Sequence, residues 1–278
     1  MERPLKVFCL LLVLALAISV RGCTSSTTAT KTGINATGSE SSTAASPGID
    51  PQSEQLLQQL GATMQQAKAV RVSEHAVWDE LQNTGQTVQL SRRATLVAAH
   101  PDQLFVTAKG DDGTDWAAWY DGRVLTLLDR VNNEYATEEF RGTNMAMLGH
   151  MHDKYGMDFP MGDFMTERLY ESTRSNIQEA FYLGKATVAG REARHLLCKQ
   201  EQLDWQLWVT PGEKPLPLKL VITFKQKPGQ PGFTANFDRW ELDPVVPDDV
   251  FKFTAPSGAK KVEVADLLRE EKEEGGEQ

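Results

Sequence analysis

The chain has 278 residues, of which 24% are charged, and its formal net charge is −9 at pH 7. This acidic balance argues against nucleic acid as a partner, because phosphate binding requires clustered Lys and Arg side chains. It also argues against broad electrostatic adhesion to anionic lipid. Residues 50–265 suffice for one sizeable hydrophobic core, so we expect a single all-β or mixed domain.

The first segment has the layout of a secretory signal peptide, which we assign to residues 1–22. Arg3 and Lys6 form a short positive region, and residues 7–20 form an unbroken apolar run, VFCLLLVLALAISV. This run is too short for a comfortable membrane span. An uncleaved membrane anchor is the alternative interpretation.

The sequence around Cys23 indicates a lipid anchor. The stretch ISVRGCTSS, at residues 18–26, resembles a bacterial lipobox. The resemblance implies cleavage after Gly22 and attachment of diacylglycerol and an amide-linked acyl chain such as palmitate to Cys23, and several buried acyl chains anchor a protein stably. Retention in the inner membrane often requires Asp where this chain has Thr24. The resemblance therefore implies a bacterial lipoprotein of the outer membrane that faces the periplasm.

The segments on either side of the expected domain cannot form a core. Residues 23–49 are rich in Ser, Thr, Gly and Ala and read as a flexible linker, and residues 266–278 form a charged tail. Cys9 would leave with the signal peptide and Cys23 would become the anchor, so we predict no internal disulfide. Cys198 lies in an apolar, strand-like stretch and is interpreted as a small buried hydrophobic residue.

The folded part begins with a helix. Asp50 and Pro51 supply an N-cap and a first-turn proline. The residues expected on the buried face of this helix are Leu56, Leu57, Leu60, Met64 and Ala67. The period then changes to two and predicts one strand in 70–81, two in 86–112 and three in 115–139. Asp121-Gly122 between two apolar runs is a strong hairpin signal.

The alternation stops at residues 140–183, where two or three short helices fit, and returns from about residue 184 as five short strands. Strands joined by short turns form an antiparallel sheet, and a long sheet of this kind curls and needs cover on its concave face. The predicted fold class is α+β, mostly β. It is a curved antiparallel sheet that forms an unclosed half-barrel, with the N-terminal helix and a helical lid on the concave side.

The order of these features resembles a known family. The segments DPQSEQLLQQL, WYDGRVLTLLDRVNNEYA, YGMDFPMGDFM and DWQLWV…PLPLKLVITF resemble the predicted periplasmic proteins of DUF2092, over roughly residues 50–265. That family is similar in organisation to the lipoprotein-carrier superfamily, whose members have an unclosed antiparallel barrel lidded by helices. The resemblance implies a cavity for acyl chains, and relatives act as lipid carriers or envelope-stress sensors.

Methionine and phenylalanine residues concentrate where we expect the lid. Met is flexible and polarizable, which suits a surface that must fit varied ligands. We predict that the ligand contacts come from this segment and from one inward tryptophan: Met145, Met147, Met151, Met157, Phe159, Met161, Phe164, Met165 and Trp205. The alternative is a permanent apolar plug on the sheet, with Trp205 as ordinary core.

Three functions stay open at this point. The first is a lipid-anchored envelope protein that binds a lipid or other apolar ligand non-covalently in the half-barrel. The second is an envelope sensor or interaction module with a filled barrel and a protein partner. The third is periplasmic copper handling, since thioether and imidazole are soft ligands, through Met145, Met147, His150, Met151, His152 and Asp153. Hydrolase-elbow, zinc-protease and phosphate-loop motifs do not occur, so we predict neither an enzyme nor a cofactor.

Overall fold

A computed structural model describes residues 48–82, 84–157, 159, 162–165 and 168–268. Several sequence predictions lie outside these described residues: the signal peptide, the acylated Cys23, the linker up to residue 47, Met161, and the tail from residue 269. The side chain of Met165 also lies outside them.

Helix α1 spans Pro51–Gln66. The Ser53 backbone N–H donates to Asp50 Oδ1 at 2.7 Å, which satisfies one of the free amides at the helix start. The residues predicted on its inner face are buried: Leu56, Leu57, Leu60, Met64 and Ala67. The prediction for this helix is confirmed.

Six strands follow α1 as a meander. They are β1 (Ala69–Leu81), β2 (Thr87–Ala99), β3 (Gln103–Gly110), β4 (Asp115–Tyr120), β5 (Val124–Asp129) and β6 (Glu134–Glu139). The turn between β4 and β5 forms at Asp121-Gly122, as predicted. Asp121 Oδ1 accepts hydrogen bonds from the N–H groups of Arg123 and Val124, both at 2.9 Å. Gly122 has φ 87°, a conformation that favours glycine.

The helical interruption is confirmed. Helix α2 spans Asn144–Tyr155, a 3-10 turn spans Gly162–Met165, and helix α3 spans Leu169–Arg174. Thr143 caps α2 by accepting a hydrogen bond from the Ala146 N–H. Gly156 ends α2 with φ 68°, the left-handed conformation typical of glycine at a helix C-terminus.

Five strands form the second meander, and its first strand starts earlier than the predicted position near residue 184. The strands are β7 (Glu179–Val188), β8 (Arg191–Lys199), β9 (Leu203–Val209), β10 (Pro217–Phe224) and β11 (Gly232–Leu242). The chain then forms a 3-10 turn at Asp248–Phe251, strand β12 (Lys260–Lys261) and helix α4 (Val264–Leu267). These last three elements were not predicted from the sequence.

The twelve strands of the described residues form one sheet in the order β12-β6-β5-β4-β3-β2-β1-β11-β10-β9-β8-β7. Antiparallel pairing of β1 with β11 joins the two meanders, with Val72 opposite Trp240 and Trp78 opposite Phe233. β12 pairs with β6 in parallel, which is a departure from the all-antiparallel prediction. Because β12 and β7 are the two ends of the order, the sheet is open, and the predicted unclosed half-barrel is confirmed.

The helices lie on the concave face of the sheet, as predicted. Leu57 and Leu60 of α1 face Trp205 and Leu207 of β9 across a cavity. Met147 of α2 faces the concave side of β1–β5 in the same way. Among the described residues, no helix is long and apolar enough to cross a membrane.

The chain on either side of the predicted domain boundaries also takes part in the structure. Ile49, which we assigned to the linker, forms a parallel bridge with Ala180 of β7. At the other end, the predicted boundary at residue 265 falls within α4, whose Val264 and Leu267 are buried.

Candidate functional site

One strongly apolar site in the described part of the chain is a cavity between α2 and the first meander, here called the α2 cavity. Its volume is about 90 Å³. The apolar sheet residues that line it are Val72, Ala94, Leu96, Leu104, Val106, Ala108, Trp116, Ala117, Ala118, Leu125 and Leu127. Its roof is made by Met147, Leu148, Phe159 and Gly162.

The α2 cavity is partly open to solvent, so it is a covered cleft and not a closed void. One water requires about 10–15 Å³, so the α2 cavity has room for several such groups in contact. Small side chains at Ala94, Ala108 and Ala118 create the space, because larger residues at these concave positions would fill it.

A buried ion pair stands in the wall of the α2 cavity. Arg92 Nη2 lies 3.6 Å from Glu74 Oε1, and the two side chains are only 11% and 7% exposed. The Arg92 guanidinium also lies 5.8 Å from the centre of the Trp78 ring. Burial raises the pKa of the Glu74 carboxyl, while the positive charge of Arg92 acts in the opposite direction.

Helix α2 is fastened to the rim of the sheet by a second buried carboxylate. Glu138 of β6 accepts hydrogen bonds from His150 Nε2 at 2.6 Å, Lys154 Nζ at 2.6 Å and Tyr155 OH at 2.7 Å. The His150 ring also stacks on Phe140, with 4.7 Å between ring centres. Burial acts to raise the pKa of Glu138, but these donors outweigh it and lower the pKa to about 2.

A second cavity of about 80 Å³ lies under α1 and α3, here called the α1–α3 cavity. Its apolar lining includes Leu57, Leu60, Phe164, Trp205 and Ile222. Its rim is more polar and carries Ser172, Thr173, Asn176 and Gln200. The two helices above it are joined because Glu54 of α1 accepts hydrogen bonds from the Tyr170 hydroxyl and, at 2.8 Å, from Arg174 Nε.

An aromatic cluster stands between the two cavities. Strand β11 separates the walls of the two cavities in the sheet order. On β11, Phe237 and Trp240 lie with ring centres 5.5 Å apart. Phe164, from the 3-10 turn above, lies 6.0 Å from Phe237 and 6.3 Å from Trp240. We call these three residues the aromatic partition.

The predicted ligand-contacting residues do not form one surface. Met147 and Phe159 line the α2 cavity, whereas Phe164 and Trp205 line the α1–α3 cavity. The remaining described members of the set border neither cavity: Met151 and Met157 are buried, and Met145 is half-buried. Their role in ligand binding stays a prediction.

Sequence reasoning missed the polar residues of the site. Glu74 occupies the same face of β1 as the buried Val72, Ala76 and Trp78. A charged residue in the apolar register of a strand was therefore a readable signal. Glu138 gave a weaker signal, because its partners come from a helix whose position over β6 is not encoded locally.

The proposed copper ligands are spread around α2. Met147 and Met151 are fully buried, while His150 points to Glu138 on the neighbouring strand. Within the described residues, no group of three or more His, Cys, Asp or Glu side chains could hold a metal ion. The thiol of Cys198 is buried, as we interpreted it, and burial raises its pKa far above the ordinary value.

These features define the class of protein to which the chain belongs: an open half-barrel whose concave face holds apolar cavities under a helical cover. Small-molecule sites are typically concave and mostly apolar, with a few polar groups. The chain belongs to the family described as predicted periplasmic protein (DUF2092), whose family model matches residues 53–265. The family resemblance predicted from the sequence is thereby confirmed.

One curated relative is an uncharacterized protein of Methanocaldococcus jannaschii, 27% identical over 142 residues. The match covers 50% of this chain and 36% of that protein, so the chain spans little more than a third of the relative's length.

Several solved structures resemble the chain at low sequence identity. The lipoprotein LppX of Mycobacterium tuberculosis is 11% identical, with 71% of this chain and 98% of that chain covered and a TM-score of 0.45. LprF from Mycobacterium bovis is 13% identical, with coverages of 73% and 98% and a TM-score of 0.44. A LolA superfamily protein from Nitrosomonas europaea is 11% identical, with coverages of 72% and 97% and a TM-score of 0.35. The fold assigned to this chain rests on its own sheet topology.

Proposed function

We propose that this chain is a lipid-anchored protein of the bacterial cell envelope that binds a lipid or other apolar ligand non-covalently in the α2 cavity. The observation that carries the proposal is the cavity itself: about 90 Å³ of space lined by apolar sheet residues and covered by Met147 and Phe159. Burial of apolar ligand surface there contributes roughly 25 cal/mol per Å² before ordering costs.

The cover of the cavity suits exchange of a ligand. Met147 has a flexible side chain that adapts to different shapes, and α2 is held at one end of the sheet by polar contacts to Glu138. Loss of those contacts would free the C-terminal half of α2 without breaking the sheet, while Asn144 at the helix start stays bonded to the Gln103 carbonyl oxygen at 3.1 Å. The ligand therefore enters and leaves by movement of α2, and its binding involves no covalent step.

The location of the protein is part of the proposal. The family description supports the periplasm, and the lipobox-like stretch around Cys23 supports an acyl anchor. In this arrangement, residues 1–22 are a cleaved signal peptide and residues 23–49 tether the domain to the membrane, which we assign to the outer membrane. Cys23→Ser should remove the mass of the acyl groups and release the protein into the soluble fraction. An unchanged mass with unchanged membrane association would refute the anchor.

The cavity is tested by filling it. Ala108 lines the α2 cavity, whereas the neighbouring Thr107 does not line it and, because side chains alternate along a strand, lies on the other face of β3. We would titrate full-length protein carrying Cys23→Ser with the neutral fluorescent probe N-phenylnaphthylamine. Ala108→Phe should weaken saturable binding at least about tenfold, a change of about 1.4 kcal/mol. Thr107→Phe introduces the same ring and should leave binding unchanged.

The two variants also separate the competing functions. If the cavity has room for the new ring, Ala108→Phe should unfold in urea at the same denaturant concentration as the parent protein or at a higher one. If the cavity has no room, overpacking should lower that concentration. Absence of probe binding to the parent protein, or equal effects of the two variants, would refute ligand binding in this cavity. The sensor or interaction module would then be the better interpretation.

A further inference from the structure

Glu74 carries an oxygen atom that the protein leaves without a partner. Its side chain is 7% exposed and lines the α2 cavity. Arg92 lies near Oε1, but within the described residues Glu74 Oε2 has no hydrogen-bond partner. A buried acceptor of this kind is costly when it is left unsatisfied. Several buried polar atoms of the described residues share this property, and Glu74 Oε2 is distinguished by belonging to a residue that lines the α2 cavity.

Stability does not explain this arrangement. A buried ion pair is weak evidence for stability, because apolar residues of similar volume usually serve as well or better. The rest of the concave face around Glu74 is apolar, with Val72, Ala94 and Leu96 among its neighbours in the cavity wall. A charged pair with one open acceptor in such a wall indicates recognition of a polar group.

The charge balance of the pair selects the kind of polar group. When both side chains are ionised, Glu74 and Arg92 carry opposite charges 3.6 Å apart and together contribute no net charge to the cavity. A ligand with a charged head would bring an uncompensated charge into an apolar space, which is expensive. A neutral head with an O–H donor satisfies Glu74 Oε2 at no such cost, and its chain lies against the apolar wall.

We propose that the α2 cavity binds a neutral single-chain amphiphile, such as a fatty alcohol or a monoacylglycerol, whose hydroxyl group donates a hydrogen bond to Glu74 Oε2. This proposal rests on the proposed function and specifies its ligand. Glu74 and Arg92 are then determinants of specificity, and the apolar residues supply affinity without discriminating between head groups.

The test compares three short probes of equal chain length: octanol, octane and octanoate. The protein is the full-length chain carrying Cys23→Ser, with isotope-labelled methionine methyl groups observed by NMR. Met147 lines the α2 cavity and reports binding there, whereas Met64 is fully buried, borders neither cavity and serves as the reference. Met147→Leu identifies the reporter signal.

The decisive variant replaces both charged residues, Glu74→Leu with Arg92→Leu. It removes the pair without stranding one charge, so the protein should still fold. We expect the ratio of octanol affinity to octane affinity to fall at least about tenfold in this variant; the ratio is the readout because two new side chains in the cavity wall can change the affinity for octane itself. A hydrogen bond to a charged acceptor typically contributes that factor. In the parent protein, octanoate should bind more weakly than octanol.

The outcomes separate this proposal from the one on which it rests. If neither octane nor octanol moves the Met147 signal in the parent protein, ligand binding in the α2 cavity fails, and the head-group proposal fails with it. If octane and octanol both bind, and the ratio of their affinities is the same in the double variant as in the parent protein, the α2 cavity does bind apolar ligands but the proposed role of Glu74 is wrong. If octanoate binds more tightly than octanol, the neutral head group is wrong and Arg92 acts as a carboxylate site.

Discussion

Removal of the negative charge at Glu138 should loosen helix α2 and destabilise the protein. The carboxylate accepts three hydrogen bonds from α2, and its pKa is lowered from 4.5 to about 2. A difference of one pKa unit corresponds to 1.36 kcal/mol, so the shift corresponds to about 3 kcal/mol as an upper bound. Lys154 is half exposed, which weakens its part through solvent screening. We therefore expect Glu138→Gln to cost about 2 kcal/mol at pH 7.

The same reasoning fixes the pH dependence. Because the folded-state pKa is lower than the unfolded one, the contribution of Glu138 is fully present above about pH 4.5 and is lost as the pH falls towards about 2. Urea unfolding of the parent protein and of Glu138→Gln should thus differ by about 2 kcal/mol at pH 7 and by roughly half of that at pH 3. Hydrogen exchange should show faster opening of α2 in the variant.

A matched control lies on the same strand. Glu134 of β6 pairs with Lys260 at 3.0 Å, but the Lys260 side chain is 72% exposed. Exposed pairs of this kind typically contribute about 0–1 kcal/mol, so Glu134→Gln should have little effect. The reasoning is refuted if the two variants lose the same stability, or if the effect of Glu138→Gln does not change between pH 7 and pH 3.

Three further predictions concern the partition, the helix cap and the buried thiol. Phe164→Ala should open the aromatic partition, lower the free energy of unfolding by about 3 kcal/mol, and allow a longer alkane to bind. A loss below about 1 kcal/mol in urea unfolding would contradict the packing around this ring. Asp50→Ala removes the α1 cap and the acceptor for the Tyr182 N–H at 2.6 Å, so thermal unfolding should show a loss of about 1–2 kcal/mol. Asp50→Asn should recover only part of this loss, because its single amide oxygen can keep the cap to the Ser53 N–H but its NH2 group cannot accept from the Tyr182 N–H. The Cys198 thiol should resist a disulfide reagent in the native protein and react readily in urea, because burial raises its pKa; fast native labelling would contradict this.

The local elements were predictable because their signals are local. The helix Pro51–Gln66 follows from its cap and its apolar spacing, and the hairpin at Asp121-Gly122 follows from its turn residues. The pairing of β1 with β11 was not predictable in this way. A period of two shows that a residue faces one side of a sheet, but it does not name the partner strand. The parallel addition of β12 to β6 has the same cause.

The candidate site was predictable in composition and not in arrangement. The methionine-rich segment does lie over the concave face, but it is shared between two cavities: α2 covers only the α2 cavity, whereas the 3-10 turn borders both, with Gly162 at the α2 cavity and Phe164 at the α1–α3 cavity. Met147 and Phe164 consequently line different cavities, although they are close in the sequence. The division depends on where β1 and β11 meet, which is a long-range property of the chain.

Two buried glutamates show why sequence alone could not separate a structural carboxylate from a recognition group. Both are among 38 acidic residues, and both lie on strands. Glu138 has donors from α2 for both of its oxygens, so the fold itself uses its hydrogen-bonding capacity. Glu74 has Arg92 near one oxygen, its second oxygen has no hydrogen-bond partner within the described residues, and its side chain lines an apolar cavity. The cost of burying Glu138 is offset within the protein, whereas the cost of burying Glu74 is offset fully only when a ligand supplies the missing donor.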